Sequence, residues 1–154
     1  MSKSTFVYVT YIRTTPEKLW SALTDAEFMK QYWFGYHCES KWTAGSPWKM
    51  VSTTGGITDA GEILEADPPR RLVIRWHHEQ NPELKAEGDS RCTMELSPSG
   101  EAVKLSITHT IDREPSKLIA SVSGGWPAIL SNLKSLLETG NIALTESVRV
   151  QKGA

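Results

Sequence analysis

A long apolar stripe near the C-terminus, in the segment 116–139, constrains this chain more than any other feature. Large apolar side chains recur at steps of three and four and so fall on one side of a helix. These are Leu118, Ile119, Val122, Trp126, Ile129, Leu130, Leu133, Leu136 and Leu137. Gly140 follows where a left-handed C-cap residue is expected. A stripe of this length requires a partner surface, which the rest of the chain must supply.

The middle of this helix contains residues that interrupt helices. Gly124, Gly125 and Pro127 follow one another closely, and proline is tolerated in a first helical turn but kinks a helix interior. The pattern therefore predicts a short helix from about Ser116, a break at 123–126, and a main helix that ends at Thr139.

The N-terminal part predicts one strand and two short helices. Residues 6–13 alternate aromatic and β-branched side chains, which is typical of a strand. Thr15 is a suitable N-cap and Pro16 a suitable first helical residue. The spacing of Thr24 and Glu27 predicts a capping box at the start of a second helix.

Between residues 36 and 110 the apolar period changes to two and turn signals recur, which predicts a meander of about six strands. Three of these strands each have a clear apolar face, and we expect it to point inward. The faces comprise Leu72, Ile74, Trp76 and His78, then Cys92, Met94 and Leu96, and finally Val103, Leu105, Ile107 and His109. In the strand at 61–66 both Ile63 and Leu64 are apolar, so the pattern leaves its inward side undecided.

The element order predicts an α+β fold. A curved antiparallel sheet of about six to seven strands must cover its apolar face, and the C-terminal helix is the only predicted helix long enough to do so. At 154 residues the chain is expected to form a single domain, 1–154, with its core at about 5–140 and a loose tail at 141–154. A curved sheet around a straight helix often leaves a cavity between them.

Composition narrows the expected partners. The formal net charge of −1, with scattered Lys and Arg, gives no basic patch for nucleic acid, and no apolar run is long enough to span a membrane. The start of the chain lacks a signal-peptide pattern, so we expect a cytoplasmic location. Cys38 and Cys92 are too few for a disulfide framework, although one disulfide between them stays open. The glycine-rich pieces match no nucleotide-binding loop, and no cofactor is expected.

Aromatic and methionine side chains are the candidate walls of the expected cavity. Such walls suit an apolar or aromatic ligand, whereas the simpler interpretation is that the same side chains fill the core. The candidate wall residues are Trp33, Trp48, Met50, Trp76, Met94 and Trp126.

Three polar residues lie at the ends of the inward faces of neighbouring strands. His78 is the last residue of one face, Cys92 the first of the next, and His109 the last of the third. At the same end of the sheet they can form a polar rim that orients a ligand, or less simply a zinc site, although no close ligand spacing supports zinc and no metal is predicted. His37, His78 or His109 can also act as a general acid or base. No nucleophile stands beside a base in the sequence, so no catalytic residues are assigned and the prediction leans away from an enzyme.

Three segments carry a family resemblance: TPEKLWSALTDAEFMKQYWFG, GEILEADPPRRLVIRW and GGWPAILSNLKSLLETG. In this order and spacing, over residues 5–140, the chain resembles the family related to the C-terminal domain of the activator of heat-shock protein 90 ATPase, in the START-like, helix-grip (SRPBCC) superfamily. The resemblance rests on Pro16 and Trp20, on 67–72, and on Gly125, Trp126 and Leu130. It implies a helix-grip fold with a hydrophobic cavity between the sheet and the last helix, which Leu130 would help to line.

Three functional hypotheses follow. The first is binding of a small hydrophobic or aromatic molecule without catalysis. The second is a module that contacts a chaperone or another protein, and the third is a cavity enzyme of the cyclase or hydrolase kind. An exposed apolar patch outside the cavity would favour the second, and a pocket His or carboxylate with a perturbed pKa the third. The oligomeric state is not predicted.

Overall fold

A computed structural model describes residues 3–145 and contains one seven-stranded antiparallel sheet with the strand order β1-β7-β6-β5-β4-β3-β2. Along the chain, the elements are β1 (Ser4–Ile12), α1 (Pro16–Thr24), α2 (Ala26–Tyr32), β2 (His37–Ser40), β3 (Pro47–Val51), β4 (Ile57–Asp67), β5 (Arg71–His78), α3 (Pro82–Lys85), β6 (Asp89–Ser99), β7 (Ala102–Ile111) and α4 (Lys117–Thr139). The predicted α+β helix-grip architecture is confirmed. The short helix α3 lies in a segment for which the sequence predicted only a turn.

The two short helices have well-defined starts. Thr15 caps α1 as predicted, because its Oγ1 accepts a hydrogen bond from the Lys18 amide (3.2 Å). The predicted capping box at Thr24 is wrong: Asp25 caps α2 by accepting from the Glu27 amide (3.1 Å). Thr24 is the last residue of α1, and its hydroxyl donates back to the Trp20 carbonyl (2.8 Å), so it is not available as a cap.

A β-bulge decides which side chains of β4 point inward, a question that the sequence left open. The register between β4 and β5 shifts between Ile63 and Glu65, so Leu64 is an extra residue in the strand. Ile63 is fully buried in the core, whereas Leu64 lies at the surface. A strand with two adjacent apolar residues thus keeps one inward face.

Helix α4 is continuous, so the predicted break at 123–126 is wrong. Pro127 lies inside the helix, and neither Gly124 nor Gly125 adopts a positive φ. An interior proline costs about 3 kcal/mol. Val122, on the N-terminal side of the proline, and Leu130, on the C-terminal side, are both buried, so tertiary packing stabilises both halves of the helix and offsets this cost.

The buried face of α4 packs mainly against β1, and also against β7 and α2. The α4 helix ends at Gly140 (φ 84°), the predicted left-handed C-cap. Beyond it, the buried Asn132 side chain accepts hydrogen bonds from the amides of Ala143 (3.0 Å) and Leu144 (2.6 Å). The start of the predicted tail is therefore bound to the helix, and positions 146–154 of that tail lie outside the described residues. Among the described residues no helix is long and apolar enough to cross a membrane.

Candidate functional site

Four indoles form a continuous cluster between the concave side of the sheet and α4. The ring centroids of Trp48 on β3 and Trp76 on β5 are 4.4 Å apart. Trp126 of α4 meets Trp76 edge-on at 5.9 Å, and Trp33, which ends α2, meets Trp126 at 5.3 Å. Four of the predicted wall residues are thus connected by successive ring contacts, and we call them the indole cluster. Edge-to-face and tilted contacts of this kind stabilise aromatic pairs beyond their buried area.

A glycine in β4 makes the closest of these contacts possible. Gly61 is directly opposite both Trp48 and Trp76, so no side chain separates the two indoles. A Cβ atom at this position would lie 1.7 Å from the backbone carbonyl oxygen of Arg75. Because that approach is impossible for any other residue, Gly61 fixes the spacing of the indoles. This role of Gly61 was not predicted from the sequence.

A buried carboxylate lies beside the indole cluster. Asp59 Oδ2 accepts a hydrogen bond from Trp76 Nε1 (2.7 Å) and one from His78 Nδ1 (3.1 Å). Burial raises the pKa of the Asp59 carboxyl, but hydrogen bonds from His78, Thr58 and Trp76 outweigh that effect, and the net pKa lies below its ordinary value. Asp59 is therefore an ionised group in a largely apolar site.

His109 occupies the other side of Trp76 and is completely buried. Trp126 Nε1 donates to His109 Nδ1 (3.2 Å), so Nδ1 must be unprotonated. The proton of the neutral ring is then on Nε2, which donates to Ser90 Oγ (2.8 Å), and Ser90 in turn donates to the Trp76 carbonyl (3.1 Å). Burial lowers the pKa of His109 to about 4, partly offset by the Asp59 charge. Since Nε2 is a donor toward Ser90, His109 cannot serve as the base of a Ser–His nucleophile.

One buried polar atom of the indole cluster has no hydrogen-bond partner among the described residues. Trp48 Nε1 is sealed from solvent and donates to no acceptor among the described residues. The Cys38 thiol interacts with this indole, but the contact does not have the geometry of a hydrogen bond. An unsatisfied buried N–H group is uncommon in folded proteins and requires an explanation.

The remaining predicted site residues lie in different places. Met50 is on the inner face, directly between Cys38 and Asp59 in the register, and Met94 and Leu130 are buried in the apolar core. His37 alternates to the face opposite Cys38, where its Nε2 is 2.8 Å from Glu39 Oε2. It therefore lies outside the indole cluster.

The expected alignment of His78, Cys92 and His109 at one end of the sheet is wrong. Cys92 is directly opposite His109, but its partner on β5 is Ile74, four residues before His78. The described part of the chain contains no group of three or more His, Cys, Asp or Glu side chains that could hold a metal ion. Both cysteines are free, which excludes the single disulfide that the sequence left open.

Two surface depressions among the described residues lie away from the indole cluster. One, of about 390 Å³, is a charged hollow between the β4–β5 turn and the outer side of β6 and β7. The other, of about 340 Å³, lies between α1, α2 and the end of α4. The space in which the sequence predicted a cavity is filled largely by the indoles themselves.

Sequence reasoning missed two members of this site, Asp59 and Ser90. Asp59 lies two and four residues before Gly61 and Ile63, so it shares their face once Ile63 is known to point inward. Ser90 is opposite Trp76 at the start of β6, two residues before the inward Cys92. In both strands, extending the alternation to the polar positions would have placed them on the inner face.

Comparison with known proteins identifies the fold and a family. The family model described as "Activator of Hsp90 ATPase homolog 1-like protein" matches residues 13–138. No curated protein matches the chain significantly.

Solved structures include similar folds over most of the chain. Protein MLL2253 from Mesorhizobium loti has 24% identity and a TM-score of 0.76, covering 90% of this chain and 100% of its own. The Aha1 dimer from Colwellia psychrerythraea has 20% identity and a TM-score of 0.72, covering 89% and 98%. PFC0360w, an HSP90 activator from Plasmodium falciparum, has 23% identity and a TM-score of 0.70, covering 87% and 96%. At these identities the likeness establishes the fold alone.

Proposed function

Because the chain belongs to the Activator of Hsp90 ATPase homolog 1-like protein family, whose fold is that of a ligand-binding or interaction module, we propose that it binds a small hydrophobic or aromatic molecule at the indole cluster. The ligand lies between the concave side of the sheet and α4. Aromatic walls with a few convergent polar groups are typical of small-molecule sites. A cytoplasmic location, expected from the sequence, belongs to the same proposal.

The orphaned N–H group of Trp48 is the observation that carries this proposal. Leaving a buried donor unsatisfied costs about 1–3 kcal/mol. A ligand with a hydrogen-bond acceptor at this point satisfies the indole and recovers part of that cost. Most other polar atoms of the site have protein partners, so Trp48 Nε1 is the donor that a ligand's acceptor would satisfy.

Ligand entry requires side chains to move, because the indoles contact one another. Trp33 is only partly buried, whereas Trp48, Trp76 and Trp126 are buried. It also follows directly on α2 and precedes Phe34, whose φ of 52° is unusual for a residue other than glycine. Trp33 is therefore the wall residue that moves at the lowest cost in packing.

The first test is native mass spectrometry of the purified chain against its denatured mass. A native excess of a few hundred daltons that disappears on denaturation identifies a bound small molecule. A titration with 2-naphthol then measures binding to the emptied site by quenching of tryptophan fluorescence. Binding raises the midpoint of thermal unfolding, because the ligand prefers the folded state.

A matched pair of variants locates the site. Trp33→Ala removes a wall of the indole cluster and is expected to weaken 2-naphthol binding by about tenfold or more. Trp42→Ala removes another partly buried indole that packs on the core outside the cluster and leaves binding unchanged. Equal losses in both variants, or a native mass without excess together with no binding of 2-naphthol, would refute the proposal.

A second candidate function is contact with a chaperone of the Hsp90 type. The outer face of the edge strand β1 exposes an apolar stripe, with Val7 58%, Val9 44% and Tyr11 50% accessible. Exposed contiguous apolar residues often mark protein contacts. One similar structure is that of an HSP90 activator, which favours this class of partner.

The chaperone hypothesis is tested with purified Hsp90 and its ATPase rate. Stimulation by the wild-type chain that is lost in the double variant Val7→Thr and Val9→Thr supports the hypothesis. Leu64→Thr, which changes an isolated exposed apolar residue on β4, is the control and should retain stimulation. An unchanged ATPase rate with the wild-type chain would exclude this partner.

A further inference from the structure

The hydrogen bonds of Asp59 determine which ring nitrogen of His78 carries a proton. Asp59 Oδ2 contacts both Trp76 Nε1 (2.7 Å) and His78 Nδ1 (3.1 Å). An ionised carboxylate has no proton to donate, so both nitrogens must be donors. The indole nitrogen is always a donor, and His78 must therefore carry a proton on Nδ1.

This arrangement determines what the other nitrogen of His78 can do. In its neutral form the imidazole has a single N–H group, so Nε2 then has a free lone pair and acts only as an acceptor. Nε2 makes no hydrogen bond among the described residues, and in contrast to Trp48 Nε1 it is not sealed from solvent. The His78 side chain is 11% exposed and shares the inner face of β5 with Trp76. It therefore presents an unused acceptor at the edge of the indole cluster.

No other histidine offers the same atom. His109 uses both ring nitrogens, one toward Trp126 and one toward Ser90. His77 lies on the outer face with its Nδ1 2.5 Å from Glu79, and His37 is on the side of β2 opposite to the inward Cys38. Among the described histidines, His78 alone combines an inner-face position with an open, oriented nitrogen.

We propose that His78, held in one tautomer by Asp59, binds a hydroxyl group of the ligand, so that the site selects aromatic molecules with a phenolic or similar O–H donor. This inference rests on the proposed function and specifies its ligand class. A ligand with only an ether or carbonyl oxygen at this point places one lone pair against another and binds more weakly. His78 is a binding residue, and Asp59 is a positioning residue that acts through it.

A pair of probes that differ in one hydrogen-bond donor tests the selectivity. 2-Naphthol and 2-methoxynaphthalene share the aromatic body, but only the first has an O–H group. Isothermal titration calorimetry at pH 8 is expected to give about tenfold tighter binding of 2-naphthol to the wild-type chain, the ratio that one hydrogen bond in a buried site supplies. His78→Phe should reduce the ratio to about one, and His77→Phe, on the outer face, should leave it unchanged.

The role of Asp59 is tested by rescue and by spectroscopy. Asp59→Asn keeps an oxygen that accepts from both nitrogens and should retain most of the selectivity, whereas the isosteric Asp59→Leu should lose it. Long-range proton–nitrogen correlation NMR of the wild-type chain reads the tautomer directly and needs no ligand. The expected spectrum shows His78 protonated on Nδ1 and bare on Nε2.

The outcomes separate this inference from the proposed function. Equal binding of the two probes to the wild-type chain, or a His78 ring protonated on Nε2, overturns the inference and leaves the proposed binding site standing. Binding of neither probe overturns the proposed function for this ligand class, and the inference fails with it. If His78→Phe still binds 2-naphthol about tenfold more tightly than 2-methoxynaphthalene, another residue causes the selectivity and the inference is also overturned.

Discussion

Acidification should destabilise the fold through His109. This ring is completely buried, and burial lowers its pKa from 6.5 to about 4. In the unfolded chain His109 is protonated as the pH falls below about 6.5. In the folded chain protonation must break the hydrogen bond from Trp126, and it occurs only near pH 4. The free energy of unfolding therefore falls as the pH is lowered from about 6.5 to about 4, and His109 contributes nothing further below that.

The size of the effect follows from the two pKa values. Their separation corresponds to about 3 kcal/mol of stability that is present above pH 6.5 and lost by pH 4. Such a loss is a large fraction of the stability of an ordinary single domain. It should be visible as a shift of the urea midpoint without a change in the slope of the transition.

The assay compares urea unfolding of the wild-type chain and of His109→Gln at several pH values from 7 to 4. Glutamine keeps an amide donor toward Ser90 but does not titrate, so the variant should be less stable at pH 7 and less sensitive to pH. The carboxyl groups with lowered pKa, including Asp59, titrate in both proteins and cancel in the comparison. Parallel pH profiles for the two proteins would refute the assignment of a buried neutral His109.

Three further predictions concern packing and reactivity. Gly61→Ala should lower the free energy of unfolding by at least about 1–3 kcal/mol, because its Cβ would collide with the Arg75 carbonyl; urea unfolding measures this. Gly124→Ala should instead raise the thermal midpoint by a stabilisation of about 0.5–1 kcal/mol, since its Cβ meets nothing within 4 Å and alanine favours the helix, and a lower midpoint would contradict this. Burial raises the pKa of the Cys38 and Cys92 thiols, so a thiol reagent such as 5,5′-dithiobis(2-nitrobenzoic acid) should label neither in the native chain and both in guanidinium.

The architecture could be predicted from sequence because its signals are periodic. The stripe from Leu118 to Leu137 and the alternation in β5 to β7 each reflect burial against a single partner surface, and this is repeated over many residues. The break in α4 was predicted wrongly because Gly124, Gly125 and Pro127 indicate only a low local propensity for helix. Packing of side chains on both sides of Pro127 supplies more free energy than the local preference removes.

The site was less predictable because it depends on strand register. His78 and His109 were placed correctly on the inner face, since each continues a clear apolar alternation. Asp59 was missed because the inward side of β4 is decided by the bulge at Leu64, which the local pattern does not reveal. His37 was assigned to the cavity from its residue type, but one step of alternation from Cys38 turns it to the other face.

The two inward histidines have opposite roles because their partners differ in charge and in hydrogen-bonding capacity. His109 faces an indole donor and a serine, which together use both nitrogens and favour the neutral ring. His78 faces a carboxylate, which uses only Nδ1 and orients the ring without occupying Nε2. The first arrangement completes a structural network, and the second leaves an acceptor unused. In the proposed binding site, ligand recognition therefore depends on His78 and on the unsatisfied Trp48 donor, whereas His109 contributes to stability.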